Sequence, residues 1–279
     1  MNTLAFSAIV CAASFCAGFL GSLTGLGGGF IITPVLTLVF GADIRYAIGA
    51  SLVSIIATSS GAAAAYVREG FTNLRAGMLL EIATVVGALI GASLVTVLPT
   101  HVIAVIFGLV LLQSAYLITR RRGEQLDSQR PPDRLAARLR LDSSYPTPGG
   151  QQAYRVRNVP GGFGLMGVAG VLSGLLGLGS GAVKVLAMDQ VMKMPFKVST
   201  ATSNFMIGVT AAASAGIYIR HGYVDPGLAM PVMLGVLAGS LIGARLLFGA
   251  PTARLRLLFA VVVAFIALEM IYHGLAGSI

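Results

Sequence analysis

The first 42 residues contain no Asp, Glu, Lys or Arg, and this uncharged run limits the fold more than any other part of the chain. A single helix of that length would measure about 63 Å, whereas the hydrocarbon core of a bilayer is roughly 30 Å thick. The run must therefore break. Its weakest helical point is Gly25-Leu26-Gly27-Gly28-Gly29, because glycine disfavours a helix interior. Residues 30–40 then form an apolar segment too short to cross a membrane alone.

The composition is that of an integral membrane protein. Of the 279 residues, 56% are hydrophobic and 10% are charged, against about 25% charged in a soluble domain. Nine of the 19 basic residues lie within residues 120–157, which is the positive-inside pattern rather than a nucleic-acid surface. The two cysteines and three histidines are not grouped as metal ligands or nucleophiles. We therefore expect no nucleic acid, no metal, no cofactor and no enzymatic activity.

The chain contains an internal duplication. A second glycine run at residues 177–181 lies 152 positions after the first, and residues 87–92 match residues 239–244 at the same offset with five identities in six. We predict an all-α polytopic protein with a first membrane repeat at 1–119, an Arg- and Pro-rich cytoplasmic linker at 120–160, and a second repeat at 161–279. The linker is expected to be solvated, with at most a short amphipathic helix at 132–141.

About eight full transmembrane helices and two short half-helices are expected. The predicted full helices are 4–24, 47–67, 74–98, 101–119, 161–176, 198–219, 227–248 and 253–274, and the short pieces after the glycine runs are 30–40 and 182–191. If each short piece turns back, the halves are parallel. If each completes a crossing, every half has five segments and the halves are inverted. Inversion is favoured because it places four further cations on the side of the linker: Lys193, Lys197, Arg254 and Arg256.

Inverted repeats with broken helices are typical of secondary transporters, which bind substrate near the membrane midplane. Free backbone N–H groups and the positive ends of short helices favour an anion there. The expected anion-binding residues are Gly25, Gly27, Gly28, Gly29, Ser51, Gly177, Gly179, Ser180, Gly181, Lys184, Thr202, Ser203 and Asn204. The competing interpretation is that the glycines form a hinge or a close helix crossing.

Other polar residues have more than one interpretation. Arg45 and Lys197 are expected at mirrored entrances. Glu81 is a candidate proton-coupling group, because an ionisable residue within an apolar run suggests function, although it can also lie at the cytoplasmic interface. Thr58 and Thr210 are equally well explained as hydrogen-bonding groups between helices. The glycine pairs at 87/91 and 239/243 are expected to be packing seams.

Residues 25–34 read GLGGGFIITP, and residues 45–52 follow them. A second copy of this pattern lies at 177–181 and 197–204. Together these segments resemble the sulfite exporter TauE/SafE family of bacterial permeases. The resemblance implies a multi-pass protein of the bacterial inner membrane. It also implies alternating-access transport of a sulfur-containing anion such as sulfite, thiosulfate or an organosulfonate, for example sulfoacetate. The expected partners are this anion, the lipid bilayer, a coupling proton or sodium ion, and a second copy of the chain in a homodimer.

Two alternatives remain at this point. A metal-cation permease would need carboxylates that converge near the midplane, whereas the short helices supply only Asp189 and Lys184 would repel a cation. A scaffold or sensor that does not transport would act through the basic linker. Such a protein would tolerate side chains in the glycine runs and fail when the linker is deleted.

We predict that both termini face the periplasm and that the linker faces the cytoplasm, because two five-segment halves return the chain to its starting side. Reporter fusions after Ile279 and near Gly149 measure this directly. A cytoplasmic C-terminus combined with a cytoplasmic linker would contradict inversion and favour parallel halves.

Overall fold

The computed structural model describes residues 3–24, 29–68, 70–119, 133–147, 150–247 and 252–277. Helices follow the apolar runs of the sequence. In the first half they are α1 (Thr3–Thr24), α2 (Gly29–Pro34), α3 (Ile44–Arg68), α4 (Leu74–Leu94) and α5 (Thr100–Thr119). A π-helical turn, Val35–Val39, extends α2. Helix α4 ends four residues earlier than predicted because the chain turns at 95–97, ahead of Pro99.

The linker and the second half continue the pattern. The linker contains α6 (Arg134–Arg138), β1 (Ser143–Thr147) and β2 (Gly150–Tyr154). The second half contains α7 (Val159–Leu176), α8 (Gly181–Leu186), a π-helical turn (Ala187–Val191), α9 (Phe196–Arg220), α10 (Pro226–Leu247) and α11 (Thr252–Leu275). From α2 to α5, each element of the first half begins 152 residues before its counterpart in the second half.

Glycines bring helices from different halves into backbone contact. Gly87 and Gly91 of α4 lie against the backbones of Gly167 and Val171 of α7, with no room for a Cβ atom. Gly239 of α10 lies against α1 in the same way. The predicted packing seams are confirmed at these positions, and Gly243 lies outside the described side chains. Because residue numbers rise together along the contact, α4 and α7 run parallel.

The last helices of the two halves run in opposite directions. Gly108 of α5 lies against Ala267 and Ile271 of α11, while Gly274 of α11 lies against His101 and Val105 of α5. Residue numbers therefore rise along one helix as they fall along the other.

Helices α3 and α9 also run in opposite directions. Along α4 and α9, Asn73 bonds to Thr202 and Glu81 bonds to Thr210, so these two helices are parallel. Gly208 of α9 lies against Ser59 of α3, and Tyr223, just after α9, lies against Gly49 near the start of α3, so α3 and α9 are antiparallel. Among the described residues, α4 and α7 are the two helices long and apolar enough to cross a membrane by themselves.

Part of the linker is folded against the helices. Strands β1 and β2 form an antiparallel hairpin that pairs Ser143 with Tyr154. Tyr145 and Tyr154 are buried in a cluster that includes Leu80 of α4 and Met192 after the second π-helical turn. The expectation of a solvated linker is therefore wrong for these two tyrosines, whose burial orders the hairpin, whereas more than half of the side chains in 133–147 and 150–158 are exposed. The predicted short helix in the linker is confirmed as α6.

Asn73 joins the linker to the helices at the start of α4. Its Nδ2 donates to the carbonyl of Leu141 and to the hydroxyl of Tyr154, both at 2.8 Å. Its Oδ1 accepts from the Ala76 N–H and caps α4. Burial raises the pKa of Tyr154 to about 12, so its hydroxyl is neutral at physiological pH.

We predict that Tyr154→Phe loosens the docked linker by about 1 kcal/mol, the value of one lost hydrogen bond, which raises the undocked fraction roughly fivefold. The measurement is the initial rate of trypsin cleavage within residues 133–158. Tyr272→Phe is the control, because Tyr272 is 68% exposed. An equal cleavage rate in both variants would contradict the assigned role of the Asn73–Tyr154 bond.

Candidate functional site

The break between α7 and α8 is a left-handed turn. Gly177 and Gly179 have φ of 62° and 66°, and Ser180 has φ of 40°. The first two positions suit glycine, which adopts this conformation without steric cost. The N–H of Gly177 donates to the carbonyl of Ser173 and closes the end of α7. In the first half, Gly25, Gly27 and Gly28 lie outside the described residues.

Two serine hydroxyls occupy equivalent positions beside the short helices. Ser51 of α3 lies 3.4 Å from the carbonyl oxygen of Gly29, the first residue of α2. Ser203 of α9 donates to the carbonyl of Gly181, the first residue of α8, at 3.3 Å. Ser51 also reaches the carbonyl of Gly177 at 3.0 Å, so one hydroxyl contacts both broken segments. The structure thus brings together Gly29, Ser51 and Gly177 at one point, and Gly181 and Ser203 at another.

A buried polar chain joins three helices. Lys184 of α8 is fully buried, and its Nζ donates to Oγ1 of Thr210 on α9 at 2.6 Å. The same hydroxyl lies 2.7 Å from Oε1 of Glu81 on α4. Glu81 is 8% exposed, and its second oxygen, Oε2, has no hydrogen-bond partner among the described residues. We call Glu81, Thr210 and Lys184 the buried chain.

The positions equivalent to the buried chain carry no charged residue. Ile32 stands at the position equivalent to Lys184 and is 1% exposed. Met233 stands at the position equivalent to Glu81. Thr58, the equivalent of Thr210, donates within its own helix to the carbonyl of Ser54 at 3.0 Å. The predicted asymmetry at Lys184 is therefore real, and it extends to Glu81.

Three other predicted ligands have different surroundings. The hydroxyl of Ser180 donates to the carbonyl of Ala169 on α7 at 2.6 Å. Thr202 is buried and accepts from the N–H of Asn73 at 3.0 Å, at the start of α4. Asn204 is half-buried. The hydroxyls of Ser180 and Thr202 thus bond to α7 and to the start of α4.

The two predicted entrance cations lie at opposite ends of the helix bundle, because α3 and α9 run in opposite directions and each cation is in the first turn of its helix. Arg45 is held by the carbonyl of Leu98, 3.1 Å from its Nη2. Its guanidinium also lies 5.7 Å from the ring centre of Tyr223. Lys197 is exposed.

The site is closed in this conformation. Ser51, Lys184, Thr210 and Ser203 are each at most 1% exposed. A cavity of about 240 Å³ lies elsewhere, between the first π-helical turn and α11, and its lining is mainly apolar. Thr210 forms hydrogen bonds to two other helices, as one of its two sequence interpretations predicts. Its pairing with Glu81 was not predicted, because Glu81 lies 129 positions away.

Comparison with known proteins gives a consistent picture. Residues 10–270 match the family model described as sulfite exporter TauE/SafE. The chain is 27% identical to probable membrane transporter protein YunE of Bacillus subtilis over 93% of this chain and 95% of that protein. It is 28% identical to YdhB of the same organism, also named a probable membrane transporter protein, over 83% and 86% of the two chains. A probable membrane transporter protein of Xylella fastidiosa is 24% identical over 94% of each chain. No solved structure matches the chain.

We predict that Gly177→Ala destabilises the protein more than Gly222→Ala. Both glycines have positive φ, so each substitution carries a backbone cost of about 1 to 2 kcal/mol. A Cβ at Gly177 would also lie 2.6 Å from Cγ2 of Ile48, whereas none of the described atoms lies within 4 Å of a Cβ at Gly222. The added cost of overpacking is about 1 to 3 kcal/mol. Thermal unfolding in detergent measures the difference, and equal shifts would contradict the close packing of this break.

Proposed function

Because the chain belongs to the sulfite exporter TauE/SafE family, we propose that it is a secondary transporter that moves a sulfur-containing anion across the bacterial inner membrane. Its relatives carry the name of membrane transporters, and the chain is a membrane transporter rather than an enzyme. The proposed substrates are sulfite, thiosulfate and organosulfonates such as sulfoacetate. The coupling ion and a homodimeric state are predictions from the sequence alone.

The proposed architecture is a pair of inverted repeats, each with four full helices and one short broken segment. Two pairs of equivalent helices support it, since α5 is antiparallel to α11 and α3 is antiparallel to α9. The equivalent contacts of Ser51 and Ser203 at an offset of 152 also support it. In this arrangement the broken segments meet near the midplane, which suits alternating access.

The observation that carries the anion proposal is the burial of Lys184. An ammonium group that is fully buried in a membrane protein is costly, and such residues face pathways or sites rather than lipid. Lys184 lies in the first turn of α8, directly after the left-handed turn at residues 177–180. A sulfonate or sulfite oxygen is a strong acceptor for such a donor. The same positive charge disfavours a metal cation as the cargo.

The predicted glycine contribution is part of this proposal. Backbone N–H groups of residues 27–29 and 179–181 would donate to the anion, with Ser51, Ser203 and Asn204 as neighbouring polar groups. Thr202 and Ser180 would act indirectly, by holding α4 and α7 in place. Arg45 and Lys197 would attract the anion from opposite sides of the membrane.

We predict that Lys184→Met weakens anion binding roughly 10- to 150-fold, from the loss of about 1.5 to 3 kcal/mol for a hydrogen bond to a charged group. Lys184→Arg should keep part of the affinity. The matched control is Ile32→Met at the equivalent buried position of the first half, which exchanges apolar side chains of similar volume. Gly28→Val should abolish transport and leave membrane insertion intact.

The measurement is uptake and efflux of sulfite, thiosulfate and sulfoacetate in reconstituted vesicles, with pH and sodium gradients imposed separately. Wild-type transport by a correctly inserted Gly28→Val, Lys184→Met double variant would contradict the anion site. Deletion of the linker separates transport from a scaffold role, because a scaffold fails when the linker is lost and tolerates the glycine substitution.

A further inference from the structure

We propose that the buried chain binds one proton together with the anion, with Glu81 as the proton acceptor, Lys184 as the anion ligand and Thr210 as the hydroxyl that joins them. The inference rests on the proposed function and specifies its coupling. Proton and anion would then move through the membrane in the same direction.

The distances within the buried chain suit an ionised Glu81. Lys184 donates to Oγ1 of Thr210, and this hydroxyl has a single proton to donate. It points to Oε1 of Glu81 at 2.7 Å or to the carbonyl of Met206 at 2.9 Å. When Glu81 is ionised, the ammonium group of Lys184 donates a hydrogen bond to the hydroxyl of Thr210, and this hydroxyl donates to the carboxylate of Glu81. The negative charge of Glu81 then compensates the buried ammonium through Thr210.

A second set of hydrogen bonds is available when Glu81 takes up a proton. The protonated carboxyl group can donate to Oγ1 of Thr210, and the hydroxyl then donates to the Met206 carbonyl within its own helix. The proton comes from water and stays on the carboxyl group, and no covalent bond to carbon or sulfur changes. Oε2 of Glu81 is buried, has no hydrogen-bond partner in the described part of the chain, and is an atom at which the proton can bind.

Charge neutrality makes the two ligands depend on each other. If an anion binds beside Lys184 while Glu81 is ionised, the buried site holds two negative charges, on the anion and on Glu81, and one positive charge, on Lys184. A protonated Glu81 without an anion leaves Lys184 uncompensated. Either state carries an unpaired buried charge, which is strongly unfavourable. With neither ligand bound, or with the proton on Glu81 and one singly charged sulfonate group beside Lys184, the charge at the buried chain is balanced, so each ligand raises the affinity for the other.

Lys184 and Glu81 act on each other electrostatically. Helix α7, which packs against α4, carries no titratable residue. Asp189 follows Lys184 on the second π-helical turn and pairs with Gln190. The other titratable residues on the packed elements lie on α9, on α5 and on the linker hairpin: Lys197, Tyr218, Arg220, His101, Tyr116, Tyr145 and Tyr154.

The first half provides a matched control. Thr58 is equivalent to Thr210, but it has Ile32 in place of Lys184 and Met233 in place of Glu81. Replacing either threonine by valine removes one buried or half-buried hydroxyl from the middle of a long helix. Only the substitution at Thr210 interrupts the buried chain.

The test is the affinity of purified protein for sulfoacetate between about pH 6 and about pH 8, where both acid groups of this probe stay ionised. The wild type should lose affinity by up to about tenfold per pH unit as Glu81 ionises, the limit for one linked proton. Glu81→Gln should bind at all pH values with the low-pH affinity of the wild type. Thr210→Val should flatten the pH profile, Thr210→Ser should restore it, and Thr58→Val should leave it unchanged.

A second measurement detects proton movement directly and does not depend on binding affinity. A pH-sensitive dye inside vesicles should report proton entry when sulfoacetate enters with the wild-type protein, and Glu81→Gln should carry sulfoacetate without proton entry. Binding or transport that is independent of pH in the wild type would overturn the coupling and leave the proposed function standing. Failure of the wild type to bind sulfoacetate, sulfite or thiosulfate at any pH would overturn both.

Discussion

The buried ammonium of Lys184 is the interaction on which the rest of the site depends. A charge in the low-dielectric interior of a membrane protein requires a partner of opposite charge and hydrogen bonds that satisfy its protons. Lys184 has Thr210 as its direct partner and Glu81 one bond further away. These residues lie on α8, α9 and α4. The hydrogen bonds that compensate the charge of Lys184 therefore connect the second broken segment to a helix of the first half.

Backbone hydrogen bonding imposes a second constraint. A helix that breaks at membrane depth exposes carbonyl and N–H groups that lipid cannot satisfy. Here the serine hydroxyls of α3 and α9 face the first carbonyls of the two short helices, and Ser51 also bonds to Gly177 of the other half. The broken backbone is therefore covered by protein. In the proposed mechanism, its remaining donors would bind the anion.

The sequence predicted the elements well because the relevant signals are local or repeated. The glycine runs marked the breaks, and the 152-residue offset placed α8 and α9 once α2 and α3 were known. The linker hairpin was not predictable from its own residues, because β1 reads SSYPT and lacks an alternating apolar pattern. Its order depends on burial of Tyr145 and Tyr154 against α4 and on the bonds to Asn73, a residue 81 positions from Tyr154.

Part of the candidate site was also predictable, because some of its residues give local or repeated sequence signals. Lys184 and Glu81 were noticeable as ionisable residues within apolar runs, and Ser51 and Ser203 were noticeable as a repeated pair. Glu81 and Lys184 are joined through Thr210 because α4 and α9 pack in parallel. No local sequence pattern predicts this packing. The positions of Thr202 and Ser180 depend on helix packing in the same way. Both hydroxyls bond to backbone groups of neighbouring segments instead of facing the short helices.

The most direct test of an anion site at the second broken segment is anomalous diffraction at the selenium edge from crystals grown with selenite, the selenium analogue of sulfite. The account predicts one selenium peak in the membrane interior, with a selenite oxygen about 3 Å from Nζ of Lys184 and the anion close to residues 179–181. Ordered selenite at a different interior site, with Lys184 still bonded to Thr210, in protein that transports sulfite would contradict it.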